Sequence, residues 1–314
     1  MRYGFGVDIF GPQIKIGFFN EVGDLLDKWK IATPVAGGGN MILPAIAEEL
    51  EDYMNSHHLF EDDIVGVGVG IPGPVNSSGV VNNCVNFGWG VFNIDRTLSG
   101  LTGLHVKSSN VANLAALGEC WKGSGTQNTA FAVMNTGLGG AVVCDGKVVF
   151  GAHGGGGELG HMVINKTEPE ACKCGKRGCV EQYVSPAGIV RVARRYLDNS
   201  RMPSALRIHR MFDYREVLSA YNSGDKAAKE IMKQVYDYAG QFLANVSCVT
   251  NPDTIVLGGE FCRMGQAVMD GIEEAFKKYA FHANKQVRFQ LAKLGTDASI
   301  YGAFKLVLDA FGEA

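Results

Sequence analysis

Between Glu158 and Glu181 the chain reads Glu-Leu-Gly-His, a spacer of ten residues, then Cys-Lys-Cys-Gly-Lys-Arg-Gly-Cys-Val-Glu. One imidazole, His161, and three thiols, Cys172, Cys174 and Cys179, therefore fall within nineteen residues. Such a set constrains the local fold strongly, because Zn²⁺ favours four nitrogen or sulfur ligands at about 2.0–2.3 Å in a tetrahedral site. Gly175 and Gly178 give the backbone the freedom to turn Cys174 and Cys179 onto one ion. Four protein ligands leave no open coordination position, so the expected metal is structural. Its expected work is to hold Glu158 and Glu181, one at each edge of the clip, in place. The alternative is a set of free or disulfide-bonded cysteines.

The remaining five cysteines, Cys84, Cys120, Cys144, Cys248 and Cys262, are scattered singly among apolar residues, as reduced thiols of a core are. Apolar residues make up 46% of the 314 and charged residues 19%, enough to bury a sizeable core in two domains or one large α/β unit. A net charge of −3 gives no electrostatic footprint for nucleic acid or an anionic membrane. The start, Met-Arg-Tyr-Gly-Phe-Gly-Val-Asp, runs straight into a strand-like segment without a secretory signal, and no apolar run is long enough to span a bilayer. A cytoplasmic location is the expectation.

Residues 3–9, 13–19 and 25–32 read as three successive strands. Residues 40–57 carry Ile42, Leu43, Ile46, Leu50 and Met54 at helical spacing. Ile64 to Ile71 is a short β-branched run of the kind found in buried strands. Three strands, a helix and a strand form the opening order of the ribonuclease H-like unit of actin and hexokinase. A helix at 110–121 and strands at 129–135 and 140–150 restart that order near residue 128. Helix-rich blocks at 185–198 and 212–250 end at Asn251-Pro252, followed by a strand at 255–259, a helix at 264–280, a strand at 286–293 and a helix at 298–312. The expected fold is a duplicated ribonuclease H-like α/β fold with two domains around a cleft. The expected domains are 1–118 and 119–299, with a closing helix over about 300–314 packed back on the first.

The clip, Gly-Glu-Leu-Gly-His with Cys-x-Cys-Gly-x-x-Gly-Cys-x-Glu, resembles the signature of the ROK family (repressors, open reading frames and sugar kinases). Further segments match that family in order: Ile71-Pro72-Gly73-Pro74-Val75, Asn86-Phe87-Gly88-Trp89, Asn110-Val-Ala-Asn, Asn135-Thr136-Gly137-Leu138-Gly139-Gly140 and Val256-Leu257-Gly258-Gly259. The resemblance covers essentially the whole chain. It implies a structural zinc on His161, Cys172, Cys174 and Cys179, and a sugar held by Asn86, Asn110, Glu158, His161 and Glu181. It also implies a nucleotide site with Asp8, Gly11, Lys15, Thr136, Gly137, Gly258 and Gly259, served by ATP and Mg²⁺. Relatives are commonly dimers, so a homodimer is expected. Several of these residues have plainer readings as well: Asn110 as a helix cap, and Asp8 and Lys15 as an ion pair with each other.

Two departures from the family pattern bear on chemistry. Where the family has a catalytic aspartate, in Asn-Asp-Ala-Asn, this chain has Val111. Valine cannot accept the hydroxyl proton, and loss of a general base typically costs about 10²–10⁴ in rate. The first phosphate loop of the family, Asp-x-Gly-Gly-Thr-x-x-Lys, reads Asp8-Ile9-Phe10-Gly11-Pro12-Gln13-Ile14-Lys15. Phe10 puts a ring where glycine lets phosphate approach, and Pro12 lacks both an N–H and a hydroxyl. The expectation is a hexose-binding kinase homologue, a pseudokinase, in which phosphoryl transfer is weak or lost. An active hexose kinase that uses another carboxylate is the alternative. The family's repressor branch needs a helix-turn-helix segment before the first strand, which this sequence lacks, so neither nucleic acid nor membrane is an expected partner.

Overall fold

The structure, a computed structural model, describes residues 2–208 and 211–312. Residues 313–314, which the sequence reading includes in the closing helix, lie outside the described residues.

In chain order the elements are β1 (Tyr3–Phe10), β2 (Gln13–Asn20), β3 (Leu25–Ala32), α1 (Ile42–Ser56), β4 (Ile64–Ile71), β5 (Val80–Val81), β6 (Phe92–Asn93), α2 (Ile94–Thr102), β7 (Val106–Asn110) and α3 (Val111–Lys122). There follow β8 (Thr129–Met134), β9 (Leu138–Cys144), β10 (Lys147–Val148), α4 (Glu181–Val184), α5 (Pro186–Asn199), α6 (Tyr214–Asn222) and α7 (Lys226–Thr250). The chain closes with β11 (Thr254–Gly259), α8 (Glu260–Met264), α9 (Gln266–Tyr279), β12 (Arg288–Leu291) and α10 (Ala298–Phe311).

Two five-stranded sheets result, ordered β3-β2-β1-β4-β7 and β10-β9-β8-β11-β12. Each is an antiparallel meander extended by two parallel strands, so the duplicated ribonuclease H-like fold expected from the sequence is what forms. All eight residues of β4 are buried, as a central parallel strand requires. The chain falls into two compact units: Met1–Gln127, Val142–Gly157 and Lys293–Ala314 form one, and Asn128–Ala141 with Glu158–Ala292 the other.

In the first unit, α10 lies across β1 and β4 and packs on α3. A Cβ on Gly302 would sit 1.7 Å from the carbonyl oxygen of Leu114, so the two helices cross where only glycine fits. Buried Glu119 on α3 ties down the segment before α10, accepting from Lys293 N at 3.1 Å and Leu294 N at 2.7 Å. In the second unit the core is formed largely by α5, α6, α7 and α9 against β8 and β11.

Several boundaries differ from the sequence reading for local reasons. The run 140–150 is a hairpin, because Asp145 and Gly146 turn at φ 50° and 75°. The block 212–250 is split into α6 and α7 at Ser223-Gly224-Asp225, where Asp225 caps α7 by accepting from Ala228 N. The expected helix 264–280 is α9, and Gly265, at φ 82°, separates it from the short α8, which the sequence did not signal. Helix α2 and strand β7 were not anticipated.

Candidate functional site

In the second unit His161, Cys172, Cys174 and Cys179 come together, their ligand atoms all within 4.8 Å of one another. None of the eight cysteines is disulfide-bonded, and Cys174 Sγ lies 3.6 Å from Cys179 Sγ. The backbone builds this cluster with two narrow pairings, Val163 with Cys179 and Ala171 with Arg177. Gly178 is indispensable to the turn: its φ is 78°, and a Cβ there would lie 1.8 Å from the carbonyl oxygen of Asn165. One imidazole and three thiols at this spacing form a donor set that can hold a metal ion.

Behind the cluster a polar network, which the sequence reading missed, holds the clip. Gln182 accepts from Gly178 N at 2.8 Å and Cys179 N at 3.2 Å, and donates to the carbonyl of Glu170 at 3.1 Å. Glu168, its side chain fully buried, accepts two 2.7 Å bonds from Arg195, one of 2.6 Å from Tyr183 and a short one from Arg191. The paired Arg195 guanidinium, helped by Tyr183 and Arg191, holds the Glu168 carboxyl down from an ordinary 4.5 to about 2, against its own burial. A depressed carboxyl stabilises the fold fully above its unfolded pKa, and that stability is lost as pH falls through the folded value. At 1.36 kcal/mol per unit this amounts to about 3 kcal/mol, lost between about pH 5 and pH 2. Urea unfolding of the wild type and of Glu168→Gln across this window should therefore show the gap between them closing as the pH falls. A gap that stays constant with pH would contradict the assignment.

Glu181 opens α4, and its Oε1 lies 3.8 Å from Cys172 Sγ. Its other oxygen accepts from Leu138 N at 3.0 Å. Glu158 precedes the short turn Leu159–His161, with its carbonyl accepting from His161 N at 3.2 Å and its side chain exposed. The glycine loop after β8 leaves Thr136 exposed, and Gly137 lies against the Glu181 carboxylate. Gly259, at φ 67°, brings the end of β11 against the end of β8: a Cβ would lie 2.1 Å from Met134 O. In this unit, then, Thr136, Gly137, Gly258 and Gly259 lie at or just after the carboxyl ends of the parallel strands β8 and β11, the usual place for ligands in α/β sheets, and Glu181 reaches the same loop.

In the first unit Asp8 on β1, Gly70 on β4 and Asn110 on β7 lie at the corresponding strand ends. Asn110 caps α3, accepting from Ala112 N at 2.7 Å, and donates to the carbonyl of Gly73 at 3.2 Å. Val111 is the first residue of α3 and is half-buried. Asn86 is exposed in a short turn, followed by Trp89, whose indole donates to Gly39 O at 3.1 Å.

Gly11 and Pro12 form the tight turn between β1 and β2, with Gly11 at φ 67° and Phe10 46% exposed beside them. Asp8 and Lys15 are cross-strand partners, yet they do not pair with each other. Lys15 donates to the carbonyl of Thr296 in a short bond and to Asp297 Oδ1 at 3.0 Å, while Lys28 holds Asp297 Oδ2 at 2.6 Å. The Asp8 carboxylate takes a short bond from Ser299, and its Oδ1 is buried with no hydrogen-bond partner among the described residues. Burial pushes the Asp8 carboxyl up, outweighing Ser299 and Lys15. An unpartnered buried acceptor here suits a bound magnesium-water shell. The partners Asp297 and Ser299 lie far along the chain and left no local sequence signal.

The profile of the ROK family matches residues 4–310. A glucokinase of Halalkalibacterium halodurans is 34% identical over 98% of this chain and 95% of its own. Among solved structures, a ROK hexokinase from Thermus thermophilus aligns with a TM-score of 0.80 at 30% identity, covering 96% of each chain. A ROK glucokinase from Streptomyces griseus, in complex with glucose and AMPPNP, aligns with a TM-score of 0.73 at 27% identity over 97% of this chain and 98% of that one. No helix among the described residues is long and apolar enough to cross a membrane.

Proposed function

Because the chain belongs to the ROK family, we propose that it binds a hexose and transfers phosphoryl groups from ATP weakly or not at all. The observation that carries the reading is Val111, first residue of α3 and directly after the cap Asn110, where the family has its aspartate. Asn86, Asn110, Glu158, His161 and Glu181 supply the amides and carboxylates that suit a polyol, since each hydroxyl both donates and accepts. His161, Cys172, Cys174 and Cys179 hold a structural zinc ion in this reading, and their thiols suit a reducing cytoplasm. Asp8, Gly11, Lys15, Thr136, Gly137, Gly258 and Gly259 form what is left of a nucleotide site for ATP and Mg²⁺. The same reading expects a homodimer.

Calorimetric titration with glucose and other hexoses tests it. Saturable heat with at least one hexose is expected, weakened about 10- to 100-fold in Glu158→Ala, the usual worth of a hydrogen bond to a charged group. No heat with any hexose would sink the proposal. The glucokinase relative favours the alternative of an active kinase, and turnover separates the two.

A further inference from the structure

Leu138 is gripped from both flanks of the cysteine clip. From one side Glu181, two residues after the cluster's Cys179, accepts the Leu138 N–H at 3.0 Å. Its Oε2 also fills the space a Gly137 Cβ would need, at 2.3 Å. From the other side Gly160, immediately before His161, lies so close that a Cβ on it would be 1.9 Å from the Leu138 carbonyl oxygen. Leu159 closes the same contact against Gly140. Leu138 itself is buried, and Val180, between Cys179 and Glu181, is wholly buried.

We infer that a metal ion on His161, Cys172, Cys174 and Cys179 sets the backbone of the glycine loop at Gly137–Leu138, with Glu181 as the positioning residue. Closing the cluster draws His161 and Cys179 together, and with them Gly160 and Glu181, the two jaws on Leu138. Metal loading is thereby felt in the loop that the family resemblance assigns to phosphate, not only at the clip. Linkage makes the effect reciprocal: whatever orders Gly137–Leu138 tightens the hold on the metal by the same factor. The inference rests on the proposed function only in taking the cluster as zinc-loaded. It requires neither sugar nor nucleotide.

Hydrogen exchange on the zinc-loaded protein tests it without any substrate, so a failure of hexose binding and a failure of this coupling are told apart. Metal content is assayed first, and zinc is then removed with 1,10-phenanthroline. Exchange at the Leu138 amide should accelerate at least about 10-fold beyond any change in α9, the factor corresponding to loss of one buried hydrogen bond. In Glu181→Ala exchange should be fast with or without zinc, whereas Glu181→Gln, whose amide oxygen still accepts, should keep the zinc dependence. Protection at Leu138 that ignores zinc removal would overturn the inference, as would acceleration matched in α9 or a protein that takes up no zinc. The wild-type comparison decides the matter even where a variant fails to fold.

Discussion

Installing an aspartate where the proposed reading puts the family's base, Val111→Asp, is expected to leave ATP-dependent hexose phosphorylation within about 10-fold of the wild type, although a general base is commonly worth about 10²–10⁴. Position 111 itself tolerates the change: it is half-buried at the first turn of α3, where a carboxylate is favoured by the helix dipole. In the proposed reading the obstacle lies in the turn that the family resemblance assigns to phosphate. Pro12 has no N–H to give, Phe10 projects beside it, and Lys15 is already committed to Asp297 and the carbonyl of Thr296. Phosphoryl transfer depends chiefly on positioning and on charge around the phosphates, so a base without donors has little to act on. The triple variant Phe10→Gly, Pro12→Thr, Val111→Asp should exceed the single one by at least about 10-fold, measured as glucose-dependent ADP release. A single variant as fast as an ordinary hexose kinase would show that the loop is no obstacle.

Zinc removal should lower thermal stability and hexose affinity together. Structural zinc in small domains contributes on the order of 10 kcal/mol, but here Gln182 and the Glu168–Arg195 pair hold much of the clip without metal. A loss of about 3–5 kcal/mol is expected, which for a chain of this size lowers the melting temperature by about 10 °C. Glucose affinity should fall at least about 10-fold, because Glu158 and Glu181 lose their common anchor. Differential scanning calorimetry and glucose titration on the same chelated sample check both. Unchanged melting with unchanged affinity would remove the structural role from the metal.

The sequence made some parts of this molecule plain and hid others, for physical reasons. The run Ile64–Ile71 is so uniformly apolar that only a buried strand accommodates it, and β4 is that strand. The clip was legible because its ligands and glycines are local in sequence, and the four ligand side chains do converge. Helix α2 and strand β7 were not legible: the first turn of α2 carries Asp95, Arg96 and Thr97, and β7 is five residues with only one large apolar side chain. Gly224, at φ 86°, lies where the helix-rich block 212–250 is split into α6 and α7. Lys15 was the hardest case, since the carboxylate that takes it lies 282 residues away and Asp8, its neighbour across the strand, is the more obvious partner. The same holds for Asn110, where a helix cap and a candidate sugar ligand are one side chain with both ends already bonded.

The most direct test of the account is to titrate the zinc-loaded protein with glucose in the presence of ATP and Mg²⁺ while measuring ADP in the same cell. Heat from the sugar is expected, with ADP release no faster than about 10²-fold below a typical kinase turnover of 1–100 per second. Glucose-dependent ADP at an ordinary kinase rate would contradict the proposed reading, and would mean that a carboxylate elsewhere in the chain takes the hydroxyl proton that Val111 cannot.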